Sequence, residues 1–191
     1  LTHNYSGYPM IRQARDMIAK GELGDIRVVQ VEYPQDWLTE PLERTGQKQA
    51  DWRTDPMRSG AGGAVGDIGT HAYQLATFVS GLVQVLLRFK NGARGMLWAS
   101  QVAVGNENAL KLRVYGSKGG IEWKQENPNY LWFTPFGQPA RLLTRSGSGA
   151  TPVAARVTRV PSGHPEGYLE GFANIYSEVA RAIRAARSGK K

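Results

Sequence analysis

The sequence predicts an α+β domain: one large, mostly antiparallel sheet with helices on one face. Three observations carry this. Apolar residues recur at helical spacing near both ends of the chain and once in the middle. Short runs rich in Val, Ile, Leu and aromatic residues fill the central part. Tight-turn signals separate those runs, and sequential strands joined by short turns pair antiparallel.

Pro9 suits the first turn of a helix, where its missing N–H costs nothing. Ile11, Ala14, Met17 and Ile18 form its apolar face, and Gly21 ends it. Ile26 to Tyr33 reads as a strand closed by Pro34. Gln35 to Gln49 lacks a period and reads as a long loop with at most a short helical turn; long irregular segments in small domains are often functional. Trp37 and Trp52 either line a sugar site, as aromatic faces can, or pack this loop onto the core.

The central helix is expected over Ala72 to Ser80, with Ile68, Ala72, Leu75, Ala76 and Val79 as its stripe and Gly81 at the left-handed stop. A strand from Val83 to Phe89 follows almost at once, too soon for an ordinary connection. Residues are therefore expected to be missing near Gly81 and Leu82. Asn91-Gly92 turns the chain into a return strand, Met96 to Val102. Ala109 to Tyr115 and Gly120 to Trp123 flank the turn Ser117-Lys118-Gly119, and Tyr130 to Thr134 and Arg141 to Thr144 add two more strands. Ser146 to Ala150 is rich in Gly and Ser and is expected to be mobile. Leu169, Phe172, Ala173, Tyr176, Val179, Ala180 and Ile183 mark the last amphipathic helix. Helices on one face leave the other uncovered, so a second subunit is expected there. Val83, Leu87, Leu97, Leu110, Leu112 and Val114 are the candidates for that open face.

The stretch with the most chemical content is Gly60-Ala61-Gly62-Gly63-Ala64-Val65-Gly66-Asp67-Ile68-Gly69-Thr70-His71. Its glycines allow a ligand or a neighbouring segment to approach closely. Asp67 is placed as the N-cap of the central helix. His71, four residues later, shares its face, a spacing that suits a general base oriented by a carboxylate. The plainer alternative is a packed structural histidine in a first helical turn.

Composition is that of an ordinary globular protein, with 41% apolar and 21% charged residues in 191. There is no cysteine, so no disulfide or thiolate metal site is available, which agrees with a cytoplasmic location. No apolar run approaches the length of a membrane span. The net charge of +8 is scattered except for Arg181, Arg184, Arg187, Lys190 and Lys191, and no nucleic-acid-binding motif accompanies it. A dinucleotide fingerprint needs G-x-G-x-x-G directly after a strand. Here the third glycine falls one place late, at Gly66, and no strand precedes Gly60.

Several segments in order resemble one family. They are Thr2-His3-Asn4-Tyr5 through Pro9, Gly21-Glu22-Leu23-Gly24, Trp52-Arg53-Thr54-Asp55-Pro56 with Gly60 to His71, Tyr115 to Gly120, and Gly163-His164-Pro165-Glu166-Gly167-Tyr168. Together they resemble the C-terminal domain of the sugar-dehydrogenase family that includes glucose–fructose oxidoreductase and inositol dehydrogenase (Gfo/Idh/MocA). The resemblance implies that residues 1–191 are the substrate-binding and oligomerisation domain, incomplete near 81–82 and after 191. It implies a cofactor, NAD or NADP, bound mainly by an absent N-terminal domain, which would also carry the family's lysine motif. The fragment alone would then not turn over.

The family's Asp-x-x-x-His pair falls on Asp67 and His71. His71 would take the proton of a sugar or polyol hydroxyl, and Asp67 would orient the ring. Tyr5, Trp52, Arg53, His164 and Tyr168 are the implied substrate contacts, although His164 is equally suited to capping its own turn. The implied partners are a small carbohydrate or polyol and a second copy, as a homodimer or tetramer through the open sheet face. Two other classes compete: a non-catalytic carbohydrate-binding or assembly module, and a metal-dependent hydrolase with His3, Asp67, His71 and His164 as ligands.

Overall fold

The structure is a computed structural model that describes residues 1–80, 87–88 and 94–189, with backbone only at 87, 88, 94 and 95. A turn of 3-10 helix, Asn4–Gly7, leads into α1, Pro9–Ala19. Pro9 opens α1 and Gly21 lies just beyond it at φ +73°, as the sequence predicts. Strand β1 spans Ile26–Pro34. The following loop contains a 3-10 turn, Leu42–Thr45, and two short helices, α2 (Lys48–Arg53) and α3 (Pro56–Ser59). Gln47 caps α2 and Asp55 caps α3 through their side chains; the loop is therefore more helical than its lack of period suggests.

The central helix begins earlier than expected. A π-helical segment, Val65–Gly69, runs without interruption into α4, Thr70–Ser80. Asp67 consequently lies inside a helical segment and is not an N-cap, because Ala64 and Val65 are already helical. The expected break near Gly81–Leu82, the Gly81 stop, the Asn91-Gly92 turn and most of the Val83–Phe89 strand lie outside the described residues. What is described there is β2, Leu87–Arg88, antiparallel to β3, Arg94–Ser100. Then come β4 (Lys111–Gly116), β5 (Gly119–Lys124), β6 (Tyr130–Pro135), β7 (Arg141–Thr144), α5 (Pro152–Arg156) and α6 (Tyr168–Arg187).

Among the described residues the strands form one seven-stranded sheet in the order β2-β3-β1-β4-β5-β6-β7. Every pairing is antiparallel except β1 with β3. In chain order α2 to α4 and then β2 lie between these two strands, and β3, antiparallel to β2, runs parallel to β1, which a direct hairpin cannot give. The α+β class, the mostly antiparallel sheet and the helices on one face are all found.

Pairing register decides which residues are core. Val29, Val31 and Tyr33 of β1 face the helices and are buried, as are Leu112 and Val114, Ile121 and Trp123, and Leu131 on the neighbouring strands. Ile11, Ala14 and Met17 of α1, with Ala72, Leu75, Ala76 and Val79 of α4, complete this core. Leu110, Leu112 and Val114 therefore do not belong to the open face, and Leu97 packs partly against the core. The alternation has period two, so an error of one position exchanges the faces. The open face carries Val28, Met96, Trp98, Tyr115, Trp132 and Leu142 instead.

The C-terminal helix is also seated differently from its pattern. Its buried residues are Gly171 and Asn174. A Cβ on Gly7 would stand 2.2 Å from the Gly171 carbonyl oxygen, so only glycine lets the helix approach the N-terminal turn this closely. Asn174 donates to the carbonyls of Gly7 and Val157 at 2.9 and 2.7 Å. Leu169, Tyr176, Val179 and Ile183 face outward. The Ser146–Ala150 stretch is tied down, since buried Gln13 donates to the Gly149 carbonyl at 2.9 Å and accepts from the Thr151 amide at 2.7 Å.

Candidate functional site

The C-terminal end of β1, the N-terminal 3-10 turn, α2, the π-helical segment and the start of α4 and α6 meet around one cavity of about 540 Å³. Tyr5, Tyr33, Trp37, Arg53, Asp67 and His71 line it, with Asn108 and Tyr168. Of the residues the sequence singled out, Tyr5, Arg53, Asp67, His71 and Tyr168 are thus brought together, and Trp37 joins them. Trp52 sits behind Arg53, whose guanidinium lies 4.3 Å from the Trp52 ring centre; this is the cation–π geometry of a packing residue. His164 is placed in a separate cavity with Asn129 and Glu166. There the buried Arg145–Glu166 pair, 3.1 Å apart, holds its turn, and Arg145 also donates to the His164 carbonyl at 2.5 Å. Among the described residues no three His, Asp or Glu side chains converge as a metal centre, so the four ligands of the hydrolase reading are not assembled.

Asp67 does not hold His71 by a hydrogen bond. Its Oδ2 accepts from Arg53 Nε at 2.7 Å and from Gln101 Nε2 at 2.8 Å. Its influence on His71 is through charge, which raises the imidazole pKa. Burial acts the other way and is the larger effect, so His71 stays below the usual histidine value. A half-buried, neutral imidazole in a polar cavity can accept a proton near pH 7. Its Nδ1 lies 3.4 Å from the Nδ1 of His3.

The cavity floor is a hydrogen-bonded set of which the sequence singled out only Tyr5. Tyr5 and Tyr33 hydroxyls are 2.5 Å apart. Tyr33 donates to Asn108 Oδ1 at 2.7 Å, and Gln35 donates to the same oxygen at 2.8 Å. Since Tyr33 gives its proton to Asn108, Tyr5 donates to Tyr33. Burial pushes both phenol pKa values up, so the rings stay neutral and act as hydrogen-bonding groups only. Tyr33 lies at the end of β1 and Gln35 just beyond it, and that end position was the available signal. Asn108 and Gln101 reach the site from distant segments that only the sheet brings near.

The family model described as the GFO/IDH/MocA C-terminal domain matches residues 11–84 and 81–122. The "Uncharacterized oxidoreductase YfiI" of Bacillus subtilis (strain 168) is 32% identical over 209 residues, covering 97% of this chain and 53% of that protein. A solved oxidoreductase from Sinorhizobium meliloti is 57% identical, with TM-score 0.83 over 98% of this chain and 54% of that one. An inositol dehydrogenase homologue from Azotobacter vinelandii is 34% identical. Solved with NAD+ it gives TM-score 0.91 over 98% of this chain and 54% of that one. Solved with NADH and myo-inositol it gives 0.85 over 98% and 53%. The chain spans about half the length of the relatives it matches.

Proposed function

Because the chain belongs to the Gfo/Idh/MocA C-terminal-domain family, we propose that it is the substrate-binding and catalytic-base half of an NAD(P)-dependent oxidoreductase. Its substrate is a sugar or polyol. The observation that carries this reading is His71, held neutral by burial, in a polar cavity with Tyr5, Arg53, Asp67 and Tyr168.

The glycine-rich stretch runs into a π-helical segment and does not follow a strand, so it is not a dinucleotide fingerprint. NAD or NADP would be held by the other half of the enzyme and would supply the hydride acceptor for the carbon being oxidised. The work of this chain is on the hydroxyl. His71 accepts the hydroxyl proton as the carbonyl forms. Asp67 favours the resulting imidazolium by charge, and Arg53 holds Asp67 in place. Arg53, Tyr168 and the Tyr5–Tyr33–Asn108 floor surround the hydroxyl-rich substrate. The 34% identical Azotobacter vinelandii homologue was solved with myo-inositol, which supports a ring polyol or sugar for this chain.

The family model matches in two pieces that meet at residues 81–84, which supports the reading that the chain is shortened there. The open sheet face is proposed as the contact with a second copy, giving a dimer or a dimer of dimers. The location is proposed as cytoplasmic, on the absence of cysteine. Among the described residues no helix is long and apolar enough to cross a membrane.

The test is NAD(P)-dependent oxidation of a panel of cyclitols and sugars by the full-length protein and its His71→Ala variant. The variant is expected to lose about 10²- to 10⁴-fold in kcat with nucleotide affinity unchanged. Turnover that survives the substitution moves the base elsewhere. No turnover with any polyol, together with saturable sugar binding, favours a non-catalytic binding module.

A further inference from the structure

We propose that His3, and not Asp67, is the positioning residue that sets the tautomer of His71. This rests on the reading of His71 as the base.

The two Nδ1 atoms lie 3.4 Å apart, and the rings meet edge to face at 86° with centres 5.1 Å apart. Asp67 accepts from Arg53 and Gln101 through Oδ2, and among the described residues it makes no hydrogen bond to His71. The remaining groups facing His71 are Tyr5 and Tyr33, whose rings present edges at 5.3 and 6.4 Å. Both are neutral phenols. His3 is therefore the hydrogen-bond partner of the imidazole among the described residues.

A neutral imidazole has one N–H, and in an Nδ1 to Nδ1 contact one ring must donate and the other accept. Burial lowers the pKa of both rings, and His71 lowers that of His3 further by repulsion. The pair thus enters the reaction uncharged. With the hydrogen on His71 Nδ1, aimed at the lone pair of His3 Nδ1, the lone pair of His71 stands on Nε2 and is free for the substrate hydroxyl. When Nε2 takes the proton, His71 becomes an imidazolium whose Nδ1–H still points at a neutral acceptor. That bond is then charge-assisted, hence shorter and stronger. His3 supplies what a carboxylate supplies in other oriented histidines, without fixing a negative charge beside the ring. The reverse polarity, with His3 donating, would leave Nε2 of His71 protonated, so that the ring would have to change tautomer before Nε2 could accept the hydroxyl proton.

Long-range ¹H–¹⁵N NMR on histidine-labelled protein reads this tautomer directly, and the chain has only three histidines. Expected at pH 7.5 is His71 protonated on Nδ1 and bare on Nε2. His3→Phe, which fills the space without an acceptor, should shift His71 towards the Nε2–H form. His3→Asn, whose amide oxygen can accept, should retain the wild-type form. In the full-length enzyme His3→Phe should lower kcat about 10- to 100-fold, as loss of an imidazole's supporting partner does, with KM within about twofold, and His3→Asn should restore most of it.

An Nε2–H His71 in the wild-type chain overturns the proposal without any variant. So does a His3→Phe protein with wild-type tautomer and kcat. Neither result touches the base reading, which fails separately if His71→Ala keeps its turnover while the Nδ1–H tautomer is confirmed.

Discussion

The two faces of the sheet are built from alternate residues of the same strands, yet they finish in different states. On the helix side Val31, Leu112, Ile121 and Leu131 are essentially fully buried within one chain. On the other side Trp98, Tyr115 and Trp132 surround a line of charges. Arg113 pairs with Glu32 at 2.9 Å and with Glu122 at 3.1 Å, and Lys124 reaches Glu122 at 3.2 Å. The aromatics remain about 43–46% exposed. One face is a finished core. The other is a mixed apolar and ionic surface of the kind that marks an interface, with aromatics and Arg prominent.

Adjacent positions on β4 test this difference most severely. Leu112→Ala should destabilise the chain by about 2–5 kcal/mol, read from the denaturant midpoint, whereas its outward neighbour Arg113 should tolerate alanine with a loss of about 1 kcal/mol or less. Equal effects at the two positions would mean that the faces are not distinct. Next in size is association. If the open face meets a second copy, Trp98→Asp with Trp132→Asp should leave secondary structure intact and lower the mass seen by sedimentation at micromolar concentration. A wild-type protein that is already monomeric there would remove the interface.

A smaller effect separates the core from the cavity. His3 and His71 have folded-state pKa values below the ordinary value of about 6.5. The unfolded chain therefore binds more protons on these rings once the pH falls below about 6.5, and stability rises with pH wherever that holds. Their effect is absent well above 6.5, grows as the pH drops towards the lower folded values, and is complete beneath them. Replacing both rings by asparagine should flatten the loss between pH 7.5 and 5.5 in urea titrations. A loss confined to lower pH would instead report Glu122, Glu170 and Glu178, whose pKa values are lowered by hydrogen bonds and basic neighbours against the opposing effect of burial where they are buried.

Local chemistry was enough to place part of the strand and helix pattern. Pro9 and Gly21 bounded α1, the turn at Ser117-Lys118-Gly119 joined β4 to β5, and β7 fell on Arg141–Thr144. These are short-range effects of φ preference, turn geometry and periodicity, and they are written in neighbouring residues. The Asp67-x-x-x-His71 spacing likewise pointed to the cavity.

Contacts between distant segments settled the rest. Leu112 and Arg113 have the same backbone, and only pairing with β1 and the docking of α1 and α4 says which face is core. The parallel β1–β3 pair depends on a crossover with no local signature. Asp67 looks like a cap, but the helical segment begins before it, and its Oδ2 accepts from Arg53 and Gln101, 14 and 34 residues away. His3 and His71 stand 68 positions apart in the chain. No spacing rule joins them; the closeness of the N-terminal segment to α4 does.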